Sequence, residues 1–554
     1  MSINNLTTPH YKYSISALSI SSNLNRKKSI SVSVLPNQNG QFLTVPFAKP
    51  TLKRSVSESN FSKKSKSFDS LRRIATETSL QIPENFSFNT VKIETYKIRW
   101  AMLVMVIFYT ALSYMQWIQY SIIANIVMEY YNVSFVMVDW MSLVFMVTYI
   151  VLIFPVSYFM DCRGLRYSAL IGSIGTAVGA WIKVFSLNPD QFMIAFLGQT
   201  IVAISQVFVL IVPARLASEW FKAENQSKIC SATVFAGQVG TAMGFLLTPM
   251  IVSHNQKEVR DGLCTLMIGT ASFSTIIAII VIVCVCIHFK SSPPNPPTYV
   301  QAIQRAVEQG NSGYVEAVKR LLVHKEFMKL VLAYGLNVGV FNAFSTLLNQ
   351  IILGYFPKSE QDAGKVGLSL ILIGAFASLV FGYIMDVTHK FKDLAIWVCK
   401  LGGVAMGVFC LVLETHSKRL LYIASIFLGF FVLGFQPIGY EYAAEITFPE
   451  PDNIVGGIMN ISTHIFGVIF TLICSELNSY LGDLIGNLCF AVLLFGSTIV
   501  VSSVKSNCKR HYAHAEITEV AKELAELSDD EENDERGFRD EECQGLTLKI
   551  DNPA

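Results

Sequence analysis

The sequence predicts an all-α polytopic membrane protein with twelve transmembrane helices arranged in two six-helix lobes. Three observations lead to this fold class. Of the 554 residues, 52% are hydrophobic and only 15% are charged. Apolar runs of about the 20 residues that cross a bilayer follow one another from Arg99 to Ser503. The motif that closes the second run returns in altered form at the end of the eighth, as a duplicated lobe requires.

Two polar tails and a polar linker flank the predicted lobes. The N-terminal tail is rich in Ser, Asn and Lys and has no sustained apolar periodicity, so we expect it to be disordered. The C-terminal tail is acidic from Glu516 onward. The predicted organisation is a cytosolic N-terminal tail at 1–95, an N-terminal lobe at 96–289, a cytosolic linker at 290–325, a C-terminal lobe at 326–504 and an acidic cytosolic tail at 505–554.

The apolar runs give the approximate bounds of each predicted helix. In the first lobe they lie at 99–127, 137–160, 167–187, 191–213, 227–252 and 263–289. In the second lobe they lie at 326–353, 366–386, 394–413, 420–443, 454–478 and 484–504.

The linker begins with a proline-rich stretch at 291–297, which cannot continue a helix. Beyond it, apolar residues at helical spacing include Val318 and Leu322. This pattern predicts one or two short amphipathic helices on the cytosolic face. A solvated linker without helices fits the composition equally well.

Basic residues beside the predicted helices set the orientation. Loops on one side of the membrane are rich in Lys and Arg, and those on the other side are shorter and poorer in both. The positive-inside rule therefore places both termini in the cytosol, and we expect the protein in the plasma membrane. The basic residues are Lys97, Arg99, Arg163, Arg166, Lys222, Lys228, Lys290, Lys325, Lys390, Lys392, Lys505, Lys509 and Arg510.

The repeated motif couples an aspartate to basic residues at a helix end. The first copy is Ser157 to Arg166 and the second is Gly382 to Lys390. A solvated turn would explain either copy alone, but two copies at matching places favour a transporter. The motif resembles the inter-helix loop signature of the major facilitator superfamily. That resemblance implies that the aspartates and basic residues latch the outward-facing state; the residues concerned are Asp161, Arg163, Arg166, Asp386 and Lys390.

A cluster of two glutamines and a tryptophan lies within the first predicted helix, at Gln116, Trp117 and Gln119. Polar side chains at membrane depth are costly unless they face protein or water. One interpretation is that the glutamines bond to neighbouring helices. Because the indole accompanies them, we favour a water-filled cavity in which Trp117 offers a π-face to a cation.

Several segments in both lobes resemble the feline leukaemia virus subgroup C receptor-related family of choline and ethanolamine transporters, which are also proposed to export haem. The resemblance covers roughly Arg99 to Arg510. The matching segments include QWIQYSII at 116–123, LIFP at 152–155, GAWIK at 179–183, QVF at 206–208, GTAMGFLL at 240–247, STLLNQ at 345–350 and EITFPE at 445–450.

This resemblance implies a substrate site built from four helices. In the family, a tryptophan and a tyrosine cage the ammonium group, and two glutamines hydrogen-bond the alcohol. Trp117 and Gln206 match the first-helix tryptophan and the fourth-helix glutamine. Asn342 stands where the seventh-helix tyrosine is expected, and His464 stands where the eleventh-helix glutamine is expected. Phe341, Phe344 or Tyr149 could replace the missing aromatic wall.

The expected function is facilitative transport of a small organic cation, namely choline or ethanolamine, by alternating access. The sequence leaves three alternatives: a haem exporter, a transporter of another small amine or solute, and a membrane receptor or scaffold. We find no nucleophile–base pair or metal motif and therefore expect no enzyme activity and no cofactor or metal. Expected partners are the cation, or haem, and membrane lipids. We expect a monomer that does not bind nucleic acid.

Overall fold

Nearly all of the described structure is α-helix, and the helices pack side by side in one bundle. The computed structural model describes residues 96–252, 256–287, 293, 295, 314–448, 450 and 452–505. The predicted N-terminal tail, the predicted C-terminal tail beyond Lys505 and most of the linker lie outside these residues. The helices are α1 (Ile98–Ile118), α2 (Ala124–Tyr131), α3 (Phe135–Val184), α4 (Phe192–Trp220), α5 (Ala223–Ile251), α6 (Gln256–Ile287), α7 (Tyr314–Val323), α8 (Lys325–Tyr355), α9 (Glu360–Thr388), α10 (Phe391–Glu414), α11 (Lys418–Thr447), α12 (Asp452–Leu481) and α13 (Asp483–Ser502).

Eleven helical segments in the described part of the chain are long and apolar enough to cross a membrane. The third predicted span falls in the second arm of α3. A straight helix of the 50 residues in α3 would measure about 75 Å, far more than the ~30 Å hydrocarbon layer. Gly164 interrupts it with φ 79° and ψ 173°, a conformation that favours glycine. α3 therefore consists of a first arm, 135–163, and a second arm, 165–184.

The bundle has two halves, which we call the first half (α1–α6) and the second half (α8–α13). The start of α8 meets the end of α13, where Glu326 accepts a hydrogen bond from the Lys505 amide at 2.6 Å. We call this end of the bundle proximal. At the opposite, distal end, Asn125 of α2 donates to Glu360 at the start of α9 at 2.8 Å. Helices of both halves pack into one apolar core.

The first span is broken between α1 and α2. A turn and a 3₁₀ segment at Ser121–Ile123 separate the two helices. Because such a break frees backbone carbonyls in a region without water, side chains must satisfy them. Gln199 donates to the Gln116 carbonyl oxygen at 2.8 Å, and Asn349 donates to the Ile122 carbonyl oxygen at 2.7 Å. The first donor lies in the first half and the second donor in the other half.

The short helix α7 joins the second half at its proximal end. Ala317 and Leu321 on one of its faces are buried, as an amphipathic helix requires. Arg320 Nε and Nη2 donate to the Glu450 carboxylate at 2.7 and 3.1 Å. These hydrogen bonds raise the pKa of the Arg320 guanidinium above its ordinary value. A helix is present where the sequence predicts one, but its buried face is Ala317 and Leu321, and Leu322 of the predicted apolar stripe is 50% exposed.

Candidate functional site

One face of the first arm of α3 runs past two of the predicted site residues. Ser142 Oγ donates to the Trp117 carbonyl oxygen at 2.9 Å. Seven residues further along, the Tyr149 ring lies 4.5 Å from the His464 ring, between centroids. Seven residues of helix correspond to about 10 Å. Trp117 and His464 thus lie at different depths beside the same helix arm, with Trp117 nearer the distal end.

Asn342 lies between these two depths. Met146, on the same face of α3, packs with Asn342 around Gly467 of α12. A Cβ atom at Gly467 would lie 2.9 Å from Met146 Sδ and 3.3 Å from Asn342 Cβ, so α12 approaches its neighbours here only because the residue is glycine. Asn342 is half-buried in the middle of α8. The structure therefore brings Asn342 to the same interface as Trp117 and His464.

The indole of Trp117 is nearly buried and is 7% exposed. Its ring contacts the Tyr114 ring edge to face, with 6.4 Å between centroids. Tyr114 is half-buried and lies one turn nearer the proximal end of α1. Two aromatic rings therefore follow one another along this face of α1.

Both phenylalanines considered as replacements for the missing aromatic wall are buried. Phe344 packs against Phe409 and Phe490 within the second half, with centroid distances of 5.3 and 6.0 Å. Phe341 is 6% exposed and belongs to the apolar core. The Phe344 ring therefore packs against α10 and α13. Tyr149, the third candidate, lies against His464 instead.

His464 has an unfilled hydrogen-bonding position. Its Nδ1 atom is buried and has no hydrogen-bond partner among the described residues. Buried polar atoms are normally paired, so an unpaired one fits a ligand position. Gln206 is 6% exposed, and its neighbour Val207 packs in a cluster with Tyr149. The packing of Val207 with Tyr149 thus connects α4 to the surroundings of His464.

The expectation that Gln116 lines a cavity is wrong. Lys183, on the second arm of α3, has no exposed surface and donates to Gln116 Oε1 and Gln199 Oε1, both at 2.9 Å. Gln116 Nε2 donates to Ser274 at 3.3 Å. The Lys183 ammonium also lies 5.7 Å from the centre of the Tyr120 ring. Gln116 is therefore part of a polar network inside the first half.

Lys183 is a buried cation that the sequence reasoning missed. Burying a charge in a membrane protein is costly unless polar groups surround it. The signal in the sequence was a lysine inside the third predicted span. A lysine so close to a helix end could equally extend to the membrane surface, so its position alone does not reveal burial.

Hydrogen bonds between the halves close the distal end. Asn125 Nδ2 donates to Glu360, and Asn349 Nδ2 donates to the Ile122 carbonyl oxygen. Gln350 Nε2 donates to Asp139 Oδ1 at 2.7 Å. Asp139 lies in the first turns of α3 and is 1% exposed. These contacts join the two halves at the distal end in the observed conformation.

A second group of polar and aromatic residues lies toward the proximal end. Tyr440 donates to Asn460 Oδ1 at 2.6 Å, and the Tyr334 and Tyr440 rings are 5.2 Å apart between centroids. Gln238 of α5 donates to Gln436 of α11 at 3.1 Å, which links the two halves. Both glutamines, Tyr440 and Asn460 are half-buried.

The predicted latch residues are described only in part. Arg163 and Lys390 are exposed, and Arg166 is half-buried. The side chains of Asp161 and Asp386 lie outside the described residues. The latch therefore stays a prediction, as does the assignment of Trp117, Gln206, Asn342 and His464 to substrate binding.

Comparison with known proteins identifies relatives along most of the chain. The profile of the Major Facilitator Superfamily matches residues 105–471. The chain is 37% identical over 441 residues to the choline/ethanolamine transporter flvcr2b of Danio rerio, covering 79% of this chain and 90% of that protein. It is 36% identical over 416 residues to the choline/ethanolamine transporter FLVCR1 of Felis catus, covering 74% of each.

Solved structures support the fold. The chain resembles the Escherichia coli fucose:proton symporter FucP with a TM-score of 0.54 and 13% identity, covering 75% of this chain and all of that one. It resembles a bacterial homologue of the human lysosomal transporter Spinster with a TM-score of 0.55 and 11% identity, covering 78% and 99% of the two chains. At such low identity, this likeness shows the fold alone.

Proposed function

The chain belongs to the feline leukaemia virus subgroup C receptor-related family of the major facilitator superfamily, and we propose that it carries choline or ethanolamine across a membrane by facilitated diffusion. The observation that supports this proposal is the interface along the first arm of α3, which passes Trp117, Asn342 and His464 at successive depths. The relatives at 36–37% identity bear the name choline/ethanolamine transporter. The resemblance seen in the sequence is confirmed at the level of the family.

The chemistry of the site suits an organic cation with a hydroxyl group. A trimethylammonium group cannot donate hydrogen bonds, so an aromatic face binds it better than an amide does. We assign the cation to Trp117. The unpaired Nδ1 of His464 and the amide of Gln206 are the groups that would bind the alcohol.

Alternating access accounts for the closed distal end. Hydrogen bonds such as Gln350 to Asp139 hold the halves together there. If the termini are cytosolic, the distal end is extracellular and the observed conformation is closed to the outside. A cation moving inward through this carrier would gain about 2.3 kcal/mol per 100 mV of membrane potential, together with its concentration gradient.

The proposed setting is the plasma membrane, with the protein working as a carrier and not as an enzyme. Multiple apolar helices establish a multi-pass membrane protein. The basic loops support cytosolic termini. For a haem exporter, a planar ring would have to reach the imidazole of His464, where the Tyr149 ring already lies 4.5 Å away between centroids. No feature of the described residues favours haem over the small cation.

The proposal is tested by substitution of Trp117. Replacement of Trp117 by alanine should abolish saturable uptake of labelled choline or ethanolamine, because the cation loses its aromatic wall. Trp117→Phe should retain part of the uptake, since a weaker π-face remains. Uptake is measured in cells alongside surface expression.

A matched control uses another tryptophan. Trp397 on α10 is 58% exposed, so Trp397→Ala removes an indole without touching the site. This variant should transport as the parent chain does. Normal uptake by Trp117→Ala at normal surface expression would show that the indole does not bind the cation. A parent chain that takes up neither labelled compound would refute the proposed function.

A further inference from the structure

Tyr440 presents a partly open ring in the interior of the bundle. It lies two turns before the proximal end of α11 and is half-buried. Its hydroxyl donates to Asn460 Oδ1 at 2.6 Å. The Tyr334 ring packs against it at 66°, with 5.2 Å between centroids. The ring is therefore held in one orientation by two neighbours, both in the second half.

Tyr114 approaches this ring from the first half. The Tyr114 ring packs against Gly237 of α5. The next residue, Gln238, donates to Gln436, which lies one turn before Tyr440 on α11. Helical side chains lean toward the start of their own helix. α1 begins at the proximal end and α11 at the distal end, where Lys418 pairs with Asp362. The side chains of Tyr114 and Tyr440 therefore lean toward each other in depth.

We propose that Tyr114 and Tyr440 form a second binding position for the transported organic cation, on the proximal side of Trp117. This inference rests on the proposed function. Aromatic faces bind ammonium groups that have lost their water, and tyrosine is among the effective ring types. Tyr114 contacts Trp117 as well, so it would belong to both positions and lie between them.

Cations at the two positions would repel each other. His464 is about 10 Å proximal of Trp117, and Asn460, which holds Tyr440, is one further turn proximal, so the positions are roughly 15 Å apart along the bundle. Two unit charges at that distance, in an effective dielectric of about 20, lower joint occupancy roughly sixfold. Counting bound cations would therefore not separate the positions.

A double substitution separates them. Equilibrium binding of labelled choline and of tetramethylammonium is measured on the purified full chain in detergent. Trp117→Leu should weaken binding and leave a residual saturable component. Tyr440→Leu added to Trp117→Leu should lower the affinity of that component at least tenfold. Tyr440→Phe in the same background should keep it within about threefold, because the π-face remains.

Tyr383 supplies the control for exchanging tyrosine with leucine. It is 71% exposed on α9, so Tyr383→Leu with Trp117→Leu should bind as Trp117→Leu alone does. Each variant is accepted only if its elution profile and melting temperature match the parent chain. If the tyrosine to leucine change at 440 prevents folding, Asn460→Ala, which frees the Tyr440 ring, should lower the residual affinity by about threefold or more.

Two outcomes overturn the inference and leave the proposed function intact. In the first, the parent chain binds and transports choline or ethanolamine, and folded Trp117→Leu has no residual saturable binding. In the second, the residual binding is the same with and without the Tyr440 substitutions. A parent chain that neither binds nor transports these cations would refute the proposed function, and the inference with it.

Discussion

Replacing Gln116 by leucine should destabilise the protein, whereas the same change at Gln119 should not. Gln116 Oε1 is one of two amide oxygens that accept from the buried Lys183 ammonium, each at 2.9 Å. A hydrogen bond to a charged group contributes about 1.5–3 kcal/mol. The hydrogen bond from Gln116 to Ser274 adds about 0.6 kcal/mol, the average for neutral pairs in membrane bundles. The expected loss is therefore about 2–3.5 kcal/mol.

Gln119 is the matched control. It is equally buried, at 1% exposure, but its Oε1 atom has no hydrogen-bond partner among the described residues. Leucine at this position removes that unpaired oxygen together with the contact of the Gln119 amide with the Tyr120 hydroxyl, so the two effects offset each other and the free energy of unfolding should stay within about 0.5 kcal/mol. Unfolding is followed by circular dichroism while sodium dodecyl sulfate is titrated into detergent micelles.

Lys183→Met provides a second check. Combined with Gln116→Leu, it removes the charge together with its acceptor, so the double variant should be more stable than Gln116→Leu alone. Equal losses for the two glutamine variants, or a Gln116→Leu variant as stable as the parent chain, would show that the ammonium does not depend on this acceptor.

Three further predictions concern transport and the distal closure. Gln206→Ala should raise KM for choline more than for tetramethylammonium, which lacks the hydroxyl; equal rises would exclude an alcohol contact. Uptake should fall on acidification because a protonated His464 would repel the cation, and His464→Gln should remove much of this dependence; a pH profile left unchanged by His464→Gln would contradict it. Glu360→Ala removes one distal hydrogen bond of about 0.6 kcal/mol, so labelling from the distal side of a cysteine placed at Ala124 should rise about threefold; an unchanged rate would show that this bond does not hold the closure.

The fold was predictable because the local composition of each span is enough to identify it as a membrane-crossing helix. In lipid, an apolar run of membrane length can satisfy its backbone hydrogen bonds only as a helix. The main difference is local: the predicted loop around 161–166 is helical except at Gly164. Sequence alone shows a motif with basic residues at this position, and a single glycine with positive φ suffices to reverse the chain.

The candidate site residues could be proposed only through the family resemblance. Trp117, Asn342 and His464 are far apart in the chain, and the face of α3 that gathers them has no sequence signature of its own. Gln116 and Gln119 look alike in sequence, and only the position of Lys183, 67 residues from Gln116, distinguishes them. Asp139 is buried because Gln350 of the other half covers it, which is a tertiary effect.

The break between α1 and α2 has a consequence for hydration. In the closed state, the carbonyl oxygen of Ile122 is satisfied by Asn349 from the opposite half. When the halves separate, that oxygen loses its donor at membrane depth, where an unsatisfied carbonyl costs several kcal/mol. Water must therefore enter the distal cleft as it opens, before or together with the substrate. The rate of opening should then depend on water activity, and osmolytes excluded from the cleft should slow it.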